Sequence, residues 1–191
     1  MFNRTALLRL SALLVVSSVA APAAAQGSSV SRPPWREPQI TFVDPPTPAA
    51  EAIIVWAVDR YRDIGLQLPD LAISLPTWCS GKAALYHVGR GSIEFCHVDK
   101  RTVLHEFAHA WDDTSGAVDR QAFLELRGLS VWWGGIDTPS RNQGAEHLAK
   151  IVAWGLMGDG GRLVPQIPRN SVAELSEAFV MLTGHQPPVE R

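Results

Sequence analysis

Asp99-Lys100-Arg101-Thr102-Val103-Leu104-His105-Glu106-Phe107-Ala108-His109-Ala110-Trp111-Asp112 is the stretch on which the reading turns. Asp99 or Thr102 can cap a helix here, and Val103, Leu104, Phe107, Ala108 and Trp111 give it apolar packing. A spacing of four residues stacks His105 over His109 on one helical face, so both imidazoles reach a single metal ion. Glu106 lies beside them and is placed to take a proton from water that the metal has made more acidic. Two imidazoles and one carboxylate form a ligand set that leaves a coordination position open for such a water. A closed structural site would need four protein ligands and no base.

Outward from this helix, Gly91-Ser92-Ile93-Glu94-Phe95-Cys96 precedes the motif, and Phe123 to Leu129, Ala145-Glu146 and Ala153-Trp154-Gly155-Leu156 follow it. With His105-Glu106-Phe107-Ala108-His109-Ala110-Trp111-Asp112, this text resembles the zincin-like metallopeptidases, particularly small secreted bacterial ones, over roughly residues 50–160. The resemblance implies one Zn2+ bound through His105 and His109, Glu106 as general base, and Ser92–Cys96 as an edge strand above the active-site helix. The long His-x-x-Gly-x-x-His extension is absent, since Asp112, Asp113 and Ser115 occupy that stretch. The third ligand must come from elsewhere.

Glu146 is the expected third ligand, as a glutamate-type site of this family requires. Ser140-Arg141-Asn142-Gln143 has the pattern of a capping box, which predicts a helix over 141–157 ending at Gly158. Glu146 falls in its first turns, and Ala149 and Ala153 allow close approach to the motif helix. His147, Asp119, Asp137 and Glu125 are the competing ligands. Asp112 is a candidate to support a zinc histidine through its second nitrogen or through water. Tyr86, His87 and His97 are weighed as substrate contacts against ordinary satisfied side chains. Trp132-Trp133 is weighed as a cleft wall, whereas Trp56, Trp111 and Trp154 fit helical core positions.

The wider chain supports export. Arg4 and Arg9 flank a short apolar run, and Ala23-x-Ala25 suits cleavage, so residues 1–25 read as a signal peptide. Removing them takes two basic and no acidic residues, leaving 166 residues with 15 basic against 19 acidic, a formal charge of −4. That length suits one domain. No basic block suggests nucleic acid, and no apolar run suggests stable membrane insertion after cleavage. Cys79 and Cys96, the two cysteines, are expected to pair in an oxidising compartment.

Residues 26–47 read as a Pro/Ser-rich leader, either a spacer or a cover for the cleft, with folded structure starting at Thr47. Thr47-Pro48 predicts a helix start, with Gly65 ending it. Leu71–Leu75 reads as a strand, and residues 83–88 and 92–96 as a hairpin about Gly89-Arg90-Gly91. Helices are expected over 120–131 and from Ser171-Val172-Ala173-Glu174 to Gly184. The expected fold is therefore α+β over 48–191: a compact zincin-like domain with a small mixed sheet, an active-site helix and a helical C-terminal half. The expected function is a secreted zinc metallopeptidase acting on a peptide or protein substrate. The alternatives are a noncatalytic secreted interaction module on the same scaffold, and an amidase acting on a nonpeptide amide.

Overall fold

The computed structural model describes residues 35–78, 81–135, 137–158, 164 and 167–188. The expected signal peptide, and the leader as far as residue 34, lie outside them. Among the described residues the chain runs β1 (Ile40–Phe42), α1 (Pro48–Asp63), β2 (Leu71–Ser74), β3 (Ala84–His87), β4 (Ser92–Phe95), α2 (Lys100–Ser115), α3 (Arg120–Arg127), α4 (Gly144–Met157) and α5 (Val172–Thr183). The class is α+β, as expected. No described helix is long and apolar enough to cross a membrane.

The sheet order is β1-β2-β4-β3, parallel across the first two pairings and antiparallel between β4 and β3. Strand alternation puts Leu71, Ile73, Ala84, Tyr86, Ile93 and Phe95 on one buried face, where they join the core formed with the helices. Two expectations change here. β4 pairs on both sides, so Ser92–Cys96 is interior and β3 is the edge strand, because the hairpin adds to β2 through its second arm. The fold also begins before Thr47. Gln67 brackets the backbone of Arg36 from both sides, at 2.8 and 2.6 Å. Asp70 accepts the Gln39 N–H at 2.7 Å, and these contacts dock the segment leading into β1.

α1 starts as its sequence predicts, with the Thr47 hydroxyl accepting the Ala50 N–H at 3.2 Å and Pro48 in the first turn. Its buried Ile54, Ala57, Val58 and Tyr61 face the core, and Tyr61 donates its hydroxyl to the Leu104 carbonyl of α2 at 2.8 Å. Burial pushes the Tyr61 phenol well up, so it remains a donor. α2 is capped by Asp99, whose carboxylate accepts from the backbone of Arg101 and Thr102 and from the Thr102 hydroxyl. It is buried along most of its length and packs most extensively on α4.

α3 ends at Arg127 rather than continuing to 131, because Gly128 adopts a left-handed φ of 67° and closes the last turn. α4 starts at Gly144, not 141. The carbonyls of Val131 and Trp132 accept the N–H groups of Gly144 and Ala145 at 2.8 and 3.1 Å, doing the work assigned to the capping box. The Gln143 side chain instead bridges the Gly134 N–H and the Thr138 carbonyl. α4 stops at Gly158 and α5 runs from its Ser171/Glu174 capping box to Gly184, all as expected. Gly155 is where α5 crosses α4: a Cβ there would stand 2.2 Å from the Phe179 ring. Cys96 is not a free thiol, and its expected partner Cys79 lies outside the described residues.

Candidate metal centre

α2 carries His105 and His109 four residues apart, and their Nε2 atoms converge to 3.2 Å. From α4, Glu146 brings Oε1 to 3.4 Å from His109 Nε2 and Oε2 to 3.7 Å from His105 Nε2. Tetrahedral zinc with ligands at about 2.0–2.1 Å would hold them roughly 3.3 Å apart. With one ligand atom taken from each residue, all lie within 4.8 Å of one another, and two imidazoles with a carboxylate are a donor set that fits the ion.

Protonation favours the same use. Burial, reinforced by the charge of neighbouring His109, pushes His105 down to about 3, leaving a neutral imidazole with a lone pair to offer. Burial alone would raise Glu146. The His109 hydrogen bond, the neighbouring imidazoles and the Lys150 ammonium outweigh it and hold the carboxyl at about 2. Glu146 also lies in the first turn of α4, where the helix dipole favours an anion.

Glu106 is 7% exposed, and its carboxyl lies within the electrostatic reach of His109 and Glu146. Burial raises its pKa; His109 lowers it, the charge of Glu146 raises it further, and a hydrogen bond from the Tyr86 backbone N–H lowers it again. That bond comes from the edge strand. Ala83 accepts from Cys96 and His97, so by strand alternation Ala84 and Tyr86 turn their backbone groups away from β4. The free edge of β3 therefore runs beside the carboxylate that the sequence marks as a base.

The walls around His109 are aromatic. The Tyr86 ring stacks at 6.4 Å and the Trp133 ring lies tilted at 5.2 Å. Asp112 makes no direct hydrogen bond to either histidine: its oxygens take Arg120 at 3.2 and 3.3 Å and the Trp132 indole at 3.0 Å, and His109 Nδ1 is buried without a hydrogen-bond partner. Asp112 instead anchors the loop that carries Trp133. Its neighbour Asp113, which sequence reading passed over, accepts the Tyr86 hydroxyl and the Gly89 N–H, both at 2.6 Å. It ties the hairpin to α2. The signal was present, since positions 105, 109 and 113 share one helical face.

No protein-family model, curated protein or solved structure matches this chain. The assignment of residues therefore stands on geometry. His105, His109 and Glu146 come together as a group able to hold a metal ion. The competing ligands are placed elsewhere. His147 is buried with Nε2 on the Arg141 carbonyl at 2.8 Å, Asp119 caps α3, and Glu125 takes the Gln121 amide. Asp137 is exposed and outside the group. His87 pairs with Glu94 and His97 with Asp99.

Proposed function

We propose that the protein is a secreted zinc-dependent hydrolase that cleaves peptide amide bonds. The observation that carries this reading is the convergence of His105, His109 and Glu146 beside the buried carboxylate of Glu106. Zinc bound there supplies Lewis acidity and makes water a stronger acid. Glu106, its proton affinity raised by burial, takes the proton as the water oxygen bonds to the carbonyl carbon. It then delivers that proton to the amine nitrogen as the C–N bond breaks. The outward-turned backbone of Ala84 and Tyr86 offers an extended peptide a line of hydrogen bonds along β3. Trp133 gives one side chain an apolar surface.

Export through residues 1–25 and a Cys79–Cys96 bridge belong to the same proposal, and the N-terminal sequence and the mass change on reduction of the exported protein check them. Glu106→Gln tests the chemistry. The amide cannot accept the water proton, so the variant should retain about one equivalent of zinc by elemental analysis yet lose at least about a hundredfold in cleavage of a peptide mixture read by mass spectrometry. Undiminished cleavage, or loss of the metal with the activity, would defeat the assignment.

A further inference from the structure

The cation beside this cluster has no task in the mechanism above. Lys150 lies four residues after Glu146 on α4, its side chain 16% exposed and its Nζ 3.8 Å from Glu146 Oε2. That distance makes an ion pair without a hydrogen bond, and no other described group partners the ammonium. Of the other cations nearby, Arg120 holds Asp112 and lies over Trp132, Arg127 donates to the Pro168 carbonyl, and the exposed Lys82 acts on Glu106 through its charge. An exposed Glu–Lys pair at this spacing would only steady a helix. Here three N–H donors are drawn into a half-buried site, and leaving them without an acceptor is costly.

Resting on the hydrolase reading, we propose that Lys150 is the contact for a negatively charged oxygen at this centre, either a ligand carboxylate or the oxyanion formed on a scissile carbonyl. The charges support it. With a divalent cation among His105, His109 and Glu146, and with Glu106 and Glu146 ionised, Lys150 leaves the site formally +1. One anionic oxygen neutralises that excess. The carboxylate that would otherwise compensate Lys150 is committed to the metal position. The Lys150 ammonium donates a charge-assisted hydrogen bond to that oxygen.

Acetate is the probe. Titrated into the cobalt-substituted protein, it should perturb the visible absorption of wild type. Lys150→Met should weaken its affinity about tenfold or more, whereas Lys150→Arg should stay within a few-fold. Zinc affinity of Lys150→Met, measured by chelator competition, should be unchanged or tighter, since a like charge has been removed. Equal acetate affinity in wild type and Lys150→Met, no acetate response in wild type, or loss of zinc from Lys150→Met would each overturn the proposal.

Peptides separate the two sources of anionic oxygen. A fall in kcat on C-terminally amidated substrates marks the oxyanion. A rise in KM confined to substrates with a free terminal carboxylate marks the carboxylate. If wild type cleaves no peptide but the acetate results hold, the hydrolase reading fails and the role of Lys150 stands.

Discussion

Two carboxylates at the α2 surface toward α4 and the Trp132 loop meet opposite fates, Asp112 buried and Glu146 half-buried. Asp112 is surrounded by donors: Arg120 neutralises it, the Trp132 indole completes it, and its side chain has no exposed surface. Glu146 faces two imidazole nitrogens at 3.4 and 3.7 Å, with the Lys150 ammonium at 3.8 Å beside it. The first arrangement is saturated and holds a loop. The second gathers two imidazoles and a carboxylate into a group able to hold one metal ion. Burial of an acid alone therefore does not mark a functional site; the chemistry of what faces it does.

Zinc breaks or sharpens this contrast most strongly. At a free concentration about a thousandfold above its Kd, zinc should add roughly 4 kcal/mol to unfolding of wild type. Glu146→Ala should lose most of that increment, while Asp112→Ala should keep it. Denaturation with and without zinc reads both, and an increment that survives in Glu146→Ala would move the metal elsewhere. Asp112→Ala should instead cost about 2 kcal/mol whether or not zinc is present, since it strands a buried indole N–H and a half-exposed guanidinium. A cost that appears only with zinc would return Asp112 to the metal site.

A third carboxylate, Asp99, calibrates the pair because it is accessible and its role is to cap α2. Burial opposes its ionisation, but the Thr102 hydroxyl and the N–H groups of Thr102 and Arg101 hold its pKa below the usual range. Its contribution is present above the unfolded value of about 3.9 and is lost as pH falls through the depressed folded value. Acid should thus remove about 1 kcal/mol from wild type but not from Asp99→Ala. Urea melts of zinc-free protein across that window, showing equal acid losses in both, would contradict the capping account.

The smallest effect concerns how Glu146 is delivered. Gln143→Ala removes two bonds that organise the loop before α4 and should cost about 1 kcal/mol, against a few tenths for Ser140→Ala. The reverse ranking in thermal melts would restore the capping box that the sequence suggests.

Much of the fold is legible in local patterns because local energies dictate them. Thr47-Pro48, Asp99 and Ser171/Glu174 satisfy helix-start N–H groups from within a few residues, and Gly158 and Gly184 accept the left-handed φ that ends a helix. His105, Glu106 and His109 are readable for the same reason, since the helical period alone sets their geometry. Glu146 was reachable only as one of several acids, and its choice depended on α4 packing against α2.

Where long-range contacts compete with a local signal, the sequence pattern misleads. Carbonyls of Val131 and Trp132 displaced the Ser140 capping box, Arg120 and Trp132 took the Asp112 oxygens, and β2 took β4 into the interior of the sheet. The helix, its two imidazoles and the position of Glu106 beside them were determined by the sequence alone. Which carboxylate closes the group, which strand lies at the edge beside Glu106, and that Lys150 stands next to Glu146 in a half-buried site were decided by tertiary structure, because those choices depend on which distant groups satisfy one another once water has been excluded.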